Sequence, residues 1–295
     1  MTKNRHSSSS AIQPVPPQIQ TTSISVAGMS VGYFAVGSGE PILFLHCTGS
    51  SSRQWYPFAE MLRGRFQAIA PDLCGYGGTS RWPGSERFGL ANEVALVTAL
   101  IDRLGKPMHL VGHSYGGAVA LQIARRCPEC LSSLTLIEPA AFHLLIDGDN
   151  ADELAFDEIM DIAATIARAV NCGDYVKAMR RFVDYWSGEG TWAALSGQQR
   201  AGLAASINKL TLESWATLNE PTRLEDFVEI ELPTLVLCGG RSPLPARRIC
   251  SHLARTLPKA ELRTIDGAGH MMPTTHVAEV HSLVIAHIEG SCVTA

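Results

Sequence analysis

The chain has 295 residues, of which 46% are hydrophobic and 18% charged, and its formal net charge is −4. This apolar fraction is enough to bury a substantial core, which excludes disorder for most of the chain. The slight acidic surplus and the lack of a strongly basic segment argue against nucleic acid or an anionic membrane as the main partner.

The first twenty residues, MTKNRHSSSSAIQPVPPQIQ, are rich in Ser, Pro and Gln, and no apolar run follows their basic residues. This composition predicts a disordered tail over residues 1–21 and does not fit a secretory signal. No apolar segment elsewhere is long enough to span a bilayer. The sequence therefore predicts a cytoplasmic protein with no membrane and no nucleic-acid partner.

Eight cysteines are spread over predicted strands, turns and helices, without the dense spacing of a disulfide scaffold. Only Cys127 and Cys130 form a CxxC pair. They follow a predicted helix instead of opening one, where the helix dipole would activate a thiol. No second pair is present to complete a tetrahedral zinc site. We therefore expect both to be ordinary cysteines.

Strands and helices alternate along the first half of the chain. Two short β-rich runs are separated by glycine-bearing turns, and continuous apolar runs typical of strands buried on both faces follow. The predicted strands cover 21–28, 29–39, 41–47, 66–73, 108–113 and 131–139, and the predicted helices cover 90–105 and 116–126. Such alternation indicates βαβ units and a mostly parallel sheet.

The alternation stops after Pro139. Only helical patterns are found from there to Glu231, and strand and helix signals then alternate again. The helical segments of this interruption cover 150–170, 173–186 and 196–219. The sequence predicts an α/β core of residues 22–139 and 232–295, with a helical cap of residues 140–231 inserted into it.

Ser114 lies in the stretch HLVGHSYGGAVAL, between a predicted strand and a predicted helix. A strand that turns sharply into a helix strains the turning residue, and small neighbours such as Gly112 and Gly116 relieve the crowding. The hydroxyl would project above the carboxyl ends of the strands, where open α/β sheets bind ligands. The N–H of Tyr115 would point to the same place, ready to hold an oxyanion.

The chain resembles the α/β-hydrolase family from about residue 22 to residue 290. Besides GHSYG, the stretches LHCTGSSSRQW, PDLCGYGGTS and GAGHMMP resemble the family's loop after the third strand, its turn after the fourth strand and its late Gly-His segment. The resemblance implies an α/β-hydrolase fold, with a mostly parallel central sheet flanked by helices and an inserted helical cap. It also implies that the N–H of Thr48 completes the oxyanion hole. Cys47 stands where glycine is common in the family.

A nucleophilic serine needs a neighbouring base to take its proton. The family's chain order of nucleophile, acid and histidine places this base near the C-terminus. His270 follows the last predicted strand there, in TIDGAGHMMP, and we expect it to be the base. His276, His281 and His287 fall in a predicted helix, where surface or packing roles are expected.

In most family members the acid follows the seventh strand, but Ser242 occupies that position here, in CGGRSP. The family's second location ends the sixth strand, where Glu138 stands in LTLIEPAAFHLL. A lone carboxylate is costly to bury, and the His270 side chain would supply a partner. We therefore predict a triad of Ser114, Glu138 and His270. Two alternatives stay open: Asp266 as the acid, and a Glu138 that only bonds the backbone.

Several other polar residues near this site are expected to have structural roles. We expect His46 and His113 to shape the backbone, and Asp72 to fix its own turn through Asx-type hydrogen bonds. Three arginines, at positions 241, 247 and 248, cluster beside the vacant acid position. They either begin a solvated helix or bind a carboxylate of the substrate.

The predicted cap begins with the apolar segment AAFHLL, next to the predicted acid. We expect Phe142 and Leu145 to line an acyl pocket as substrate-binding residues. The acidic run DGDNADELAFDEIMD indicates a solvated face of the cap. Most aromatic residues of FVDYWSGEGTW are expected to pack within the cap.

These residues together predict a hydrolase of small, fairly apolar carboxylic esters, lactones or thioesters that forms an acyl-enzyme on Ser114 and needs no metal or organic cofactor. Two alternatives remain: a carbon–carbon bond hydrolase of diketone-like substrates, and a non-catalytic member that binds a small ligand. The absence of aspartate at position 242 keeps the second alternative open. The natural substrate and the oligomeric state do not follow from the sequence.

Overall fold

The computed structural model describes residues 19–26, 28–62, 64–84, 87–105, 107–146 and 148–292. The predicted N-terminal tail lies outside these ranges, except for residues 19–21, which lead into the first strand. Within the described ranges, no helix is both long and apolar enough to cross a lipid bilayer. The cytoplasmic location stays a prediction.

Eight strands form one sheet in the order β1-β2-β4-β3-β5-β6-β7-β8. They are β1 (Thr22–Val26), β2 (Met29–Gly37), β3 (Glu40–Leu45), β4 (Phe66–Pro71), β5 (Met108–His113), β6 (Leu131–Ile137), β7 (Thr234–Gly239) and β8 (Ala260–Ile265). Strand β2 pairs antiparallel with β1 and β4, and all the other pairs are parallel. The predicted mostly parallel α/β sheet is confirmed.

The helices are α1 (Tyr56–Leu62), α2 (Leu90–Leu104), α3 (Tyr115–Arg126), α4 (Asn150–Asn171), α5 (Tyr175–Ser187), α6 (Thr191–Ala194), α7 (Gly197–Ala205), α8 (Ile207–Leu218), α9 (Leu244–Thr256), α10 (Met272–Thr275) and α11 (Val277–Cys292). Successive strand residues face opposite sides of the sheet. In β3, Leu43 and Leu45 join the core under α2, α3 and α9, and Ile42 and Phe44 join the core under α1 and α11. The sheet is therefore covered on both faces, as its continuous apolar strands predict.

Helices α4 to α8 all lie between β6 and β7, in residues 140–231, which we call the helical insertion. Its described residues contain no strand. Part of it has an apolar core of its own, in which Ile162, Met179 and Leu210 are buried. The helical character of this segment matches the sequence pattern, and its division from the rest of the chain as a separate domain stays a prediction.

The predicted helical segment 196–219 is two helices in the structure. It breaks at Ser206, whose hydroxyl donates to the carbonyl of Leu203 at 2.7 Å. A serine that bonds nearby backbone in this way competes with the helical hydrogen-bond ladder. Helix α1 carries no sequence prediction at all, because its seven residues are too few to establish a period.

Cys127 and Cys130 form a disulfide, so the expectation that they are ordinary cysteines is wrong. Their Cα atoms lie 5.4 Å apart because a single 3₁₀ turn, Pro128–Cys130, brings them together after α3. This separation is within the range that a disulfide spans.

The acidic run at the start of the insertion is not wholly solvated, which corrects a second expectation. Asp152 is buried, and its Oδ1 lies 2.7 Å from Nε of Arg248 and 2.7 Å from Nε2 of His252. Asp149 pairs with the same arginine at 2.8 Å. Arg248 therefore joins α9 to the start of α4. It neither begins a solvated helix nor stands free for a substrate carboxylate.

Candidate active site

Ser114 occupies the turn between β5 and α3 in a strained conformation, with φ 53° and ψ −115°. Its N–H donates to the carbonyl of Ile137 on the neighbouring strand at 3.0 Å. A Cβ at position 112 would collide with the carbonyl oxygen of Gly116, and a Cβ at position 116 would lie 2.5 Å from the carbonyl oxygen of Leu45. The turn therefore requires glycine at both positions, as the sequence predicts.

We expect Gly116→Ala to lower the free energy of unfolding by about 1–3 kcal/mol, because the new Cβ has no room against the β3 backbone. Gly202→Ala is the matched control. Position 202 lies on exposed α7 with nothing within 4 Å of a new Cβ, and Ala there should stabilise the helix by about 0.5–1 kcal/mol. Chemical denaturation of both variants measures the difference. Equal stability of Gly116→Ala and wild type would contradict the close approach of α3 to β3.

His270 and Glu138 meet above the carboxyl ends of the strands, and both are almost fully buried. Nδ1 of His270 lies 2.7 Å from Oε2 of Glu138, and the other carboxyl oxygen accepts the N–H of Gly239 at 2.6 Å. Because a carboxylate only accepts hydrogen bonds, Nδ1 carries the hydrogen and Nε2 of a neutral imidazole keeps its lone pair. This is the tautomer that a general base requires.

Glu138 is the only carboxylate within ion-pair distance of His270 in the part of the chain that the structure describes. Its positive φ of 43° is uncommon for a residue with a side chain. The rival Asp266 is exposed in the turn after β8. Ser242 is buried, and among the described residues its hydroxyl has no hydrogen-bond partner.

Two cavities meet at Ser114. The larger, of about 200 Å³, is lined by His270 and Leu203 among others, and the smaller, of about 40 Å³, by Phe142 and Tyr115 among others. Thr48, Ser114, Phe182 and Trp186 line both cavities. A molecule held at Ser114 can therefore extend in two directions, and only the direction into the larger cavity passes His270.

The loop after β3 brings Thr48 beside Ser114. Its two neighbours have bound N–H groups: that of Cys47 donates to Oε1 of Gln54 at 3.1 Å, and that of Gly49 donates to the Tyr76 hydroxyl at 3.0 Å. For the N–H of Thr48 the described residues provide no acceptor. The N–H of Tyr115 is in the first turn of α3, where helical N–H groups lack an intrahelical acceptor. The N–H groups of Thr48 and Tyr115 are thus two hydrogen-bond donors near Ser114 that remain available to a ligand.

A buried chain of hydrogen bonds connects this loop to the His270 loop. Nε2 of Gln54 lies 3.0 Å from Nδ1 of His113. On the other side of the ring, Nε2 of His113 lies 2.9 Å from the carbonyl oxygen of His270. Burial lowers the pKa of His113 well below its usual value, so the ring is neutral. In that state Nδ1 accepts from Gln54 and Nε2 donates to the carbonyl. Nothing in the sequence distinguishes Gln54 from an ordinary polar residue.

His46 and Asp72 have the structural roles that the sequence predicts. Nε2 of His46 accepts the N–H of Leu73 at 2.9 Å, and burial lowers the pKa of its ring to about 4. The carboxylate of Asp72 accepts the N–H groups of Ser52 and Gly78, both at 2.8 Å. These contacts hold the loops on which the site is built.

The two predicted substrate-binding residues differ in position. Phe142 lines the smaller cavity, whereas Leu145 is absent from the described lining of both cavities and is buried in the core. Leu145 lies three residues further along a 3₁₀ turn that rises about 2 Å per residue. Trp186 is closer to the site, since its ring centroid lies 4.3 Å from that of His270 and 5.9 Å from that of Phe142.

The smaller cavity also contains a carboxyl group that the sequence does not point to, that of Glu213 on α8. Glu213 is 1% exposed, and its Oε2 accepts a hydrogen bond from the Tyr76 hydroxyl at 3.0 Å. One glutamate in a helix with mixed composition usually faces solvent. No local pattern could therefore have identified it.

One group of three side chains in the described part of the chain has the spacing of metal ligands: Cys127, Glu129 and Cys130. Its two sulfurs are joined in the disulfide, and it lies at the opposite end of α3 from Ser114.

Comparison with known proteins gives the relatives of this chain. A 2-hydroxymuconate semialdehyde hydrolase from Pseudomonas putida is 27% identical, over 88% of this chain and 91% of that protein. Lipase 1 from Psychrobacter immobilis is 22% identical, over 79% of this chain and 72% of that protein. A solved variant of CumD, a meta-cleavage product hydrolase from Pseudomonas fluorescens, superimposes with a TM-score of 0.70 at 21% identity, over 91% of this chain and 98% of that chain.

The identity to CumD is low enough that this likeness shows the fold alone. The sequence profile of the alpha/beta hydrolase family matches residues 42–283, which is most of the chain and includes Ser114, Glu138 and His270. The chain therefore belongs to the alpha/beta hydrolase family and is an α/β-fold hydrolase.

Proposed function

We propose that this protein is a serine hydrolase of small, fairly apolar carboxylic esters, lactones or thioesters, with Ser114 as nucleophile, His270 as base and Glu138 as acid. The observation that carries the proposal is the 2.7 Å contact between His270 and Glu138, next to a cavity that His270 shares with the strained Ser114. A binding protein has no need of a buried imidazole whose Nδ1–H is held by a carboxylate so that Nε2 faces a nucleophile.

In the first half of the reaction, Oγ of Ser114 attacks the carbonyl carbon while Nε2 of His270 takes its proton. The N–H groups of Thr48 and Tyr115 hold the negative oxygen of the tetrahedral intermediate. His270 then gives the proton to the leaving oxygen or sulfur, and an acyl-enzyme remains. In the second half, water attacks the carbonyl carbon of the acyl-enzyme while Nε2 of His270 takes the proton of that water. The bond between this carbon and Oγ of Ser114 then breaks, His270 returns the proton to Oγ, and the carboxylic acid leaves.

The two cavities would take different parts of the substrate. The leaving group must approach His270 to receive its proton, and His270 lines only the larger cavity. The acyl group then extends into the smaller cavity, towards Phe142. This assignment agrees with the apolar acyl pocket predicted around Phe142.

A panel of p-nitrophenyl esters with acyl chains of two to eight carbons tests the proposal. We expect turnover that is fastest for the short chains, because the smaller cavity limits acyl length. An alkyl fluorophosphonate should stop turnover and add one label per chain, mapped by peptide mass spectrometry to Ser114. Ester turnover that survives a labelled Ser114, or a label on another residue, would contradict the proposal.

A second candidate is a carbon–carbon bond hydrolase of diketone-like substrates. It is favoured by the 27% identity to a 2-hydroxymuconate semialdehyde hydrolase over 91% of that protein's length. Loss of the absorbance of a conjugated diketone acid, with little turnover of any ester, would select this candidate. A protein that turns over neither type of substrate yet binds a ligand at Ser114 would be a non-catalytic member of the family.

A further inference from the structure

Glu213 is a buried carboxyl group for which the proposed reaction has no use. It belongs to α8 of the helical insertion and lines the smaller cavity together with Ser114. The other described residues of that lining have apolar, hydroxyl or phenol side chains, so Glu213 is their only carboxyl group. An ionisable group in such surroundings costs free energy unless its hydrogen bonds are satisfied.

The hydrogen bonds of Glu213 are satisfied on one side only. Its Oε2 accepts from the Tyr76 hydroxyl, whereas its buried Oε1 has no hydrogen bond of good geometry in the described structure. The Thr48 hydroxyl also interacts with this carboxyl and favours its ionised form. The nearest cation is Nζ of Lys209, which lies 3.5 Å from Oε1. That contact is an ion pair at the limit of hydrogen-bond distance and leaves the oxygen able to accept.

Lys209 is bound more closely by a different acid. Its Nζ lies 3.0 Å from Oε2 of Glu93, whose Oε1 accepts the N–H of Cys74 at 2.7 Å. With both acids ionised, the buried group of Lys209, Glu93 and Glu213 has a net charge of −1. Burial raises the pKa of the Glu213 carboxyl to about 7, although Lys209 opposes the shift. Among the described residues, Oε1 therefore has only the long contact with Lys209 and the Thr48 interaction with its carboxyl, and it can still accept a well-formed hydrogen bond from a ligand.

We propose that Oε1 of Glu213 binds a hydroxyl group on the acyl part of the substrate, so that the protein selects hydroxyacyl esters over unsubstituted ones. This inference rests on the proposed function, since it assigns the acyl group to the smaller cavity. A hydroxyl group donates to an ionised carboxylate and also accepts from a protonated one, so it suits both states of the carboxyl. An ammonium group only donates, and it suits one state.

The test compares p-nitrophenyl butyrate with its 2-hydroxy and 3-hydroxy derivatives. We expect kcat/KM of wild type to be about 10- to 100-fold higher for the better hydroxybutyrate, which is the effect of one hydrogen bond to a charged group. In Glu213→Met the preference should fall to within about threefold, because kcat/KM for the hydroxybutyrate falls much further than kcat/KM for plain butyrate. If Glu213 had only a structural role, the substitution would lower kcat/KM for both substrates by the same factor.

Glu153→Met is the matched control, because Glu153 is exposed on α4 of the same insertion, and the wild-type preference should persist in it. A wild-type ratio near one for both hydroxybutyrates overturns the proposal, and it does so even where Glu213→Met fails to fold. A preference that survives Glu213→Met overturns it as well. The absence of turnover for every ester would instead count against the proposed function.

Discussion

Replacing Ser114 by Ala is expected to lower kcat for p-nitrophenyl esters by about 10⁴-fold or more, because no other group is left to form the acyl-enzyme. The residual rate should come from the N–H groups of Thr48 and Tyr115, which still polarise a bound carbonyl for attack by water. Steady-state kinetics over the ester panel measure the loss, and KM should change little, since substrate contacts stay in place.

The same variant should fold like wild type. The N–H of residue 114 would still donate to Ile137, and Ala at φ 53° is strained no more than Ser in that conformation. Its thermal midpoint should therefore stay within a few degrees of the wild-type value, and its fluorophosphonate label should vanish. Near-wild-type turnover in a folded Ser114→Ala protein would remove Ser114 from the mechanism.

The fold could be predicted because its determinants are local in the sequence. Continuous apolar runs identify β3 and β5 as buried strands, and the helical period over residues 90–105 matches α2. Likewise the strain at Ser114 follows from neighbours no more than two positions away. The boundary at Ser206 was missed because the helical period on both sides of it is continuous.

The site could be predicted only where a resemblance supplied the long-range pairing. Glu138 and His270 are 132 residues apart, and no spacing rule connects them. The structure brings them together as predicted, while their catalytic roles stay proposals. Gln54 and Glu213 were missed because their side-chain contacts with His113 and Tyr76 span 59 and 137 residues, and each alone resembles a solvated side chain.

Replacing Glu138 by Gln is expected to lower kcat by about 10³- to 10⁴-fold, by disturbing the tautomer of His270. The N–H of Gly239 needs an acceptor and lies 2.6 Å from Oε1, so it holds the amide oxygen of the new side chain on its own side. The amide NH₂ group then faces Nδ1 of His270. Nδ1 becomes an acceptor, the hydrogen moves to Nε2, and the ring has no lone pair for the proton of Ser114.

Asp266→Asn is the matched control, since it makes the same chemical change on the exposed rival acid four residues before His270. It should leave kcat within about twofold of wild type, because a surface substitution away from the site disturbs little. Both variants should unfold near the wild-type temperature, so that a loss of rate reports the chemistry. Wild-type kcat in Glu138→Gln together with a large loss of kcat in Asp266→Asn would make Asp266 the acid instead of Glu138. The fluorophosphonate labels Ser114, and this reaction also needs His270 as base. Its labelling rate should therefore fall in the variant that has lost the acid of the triad.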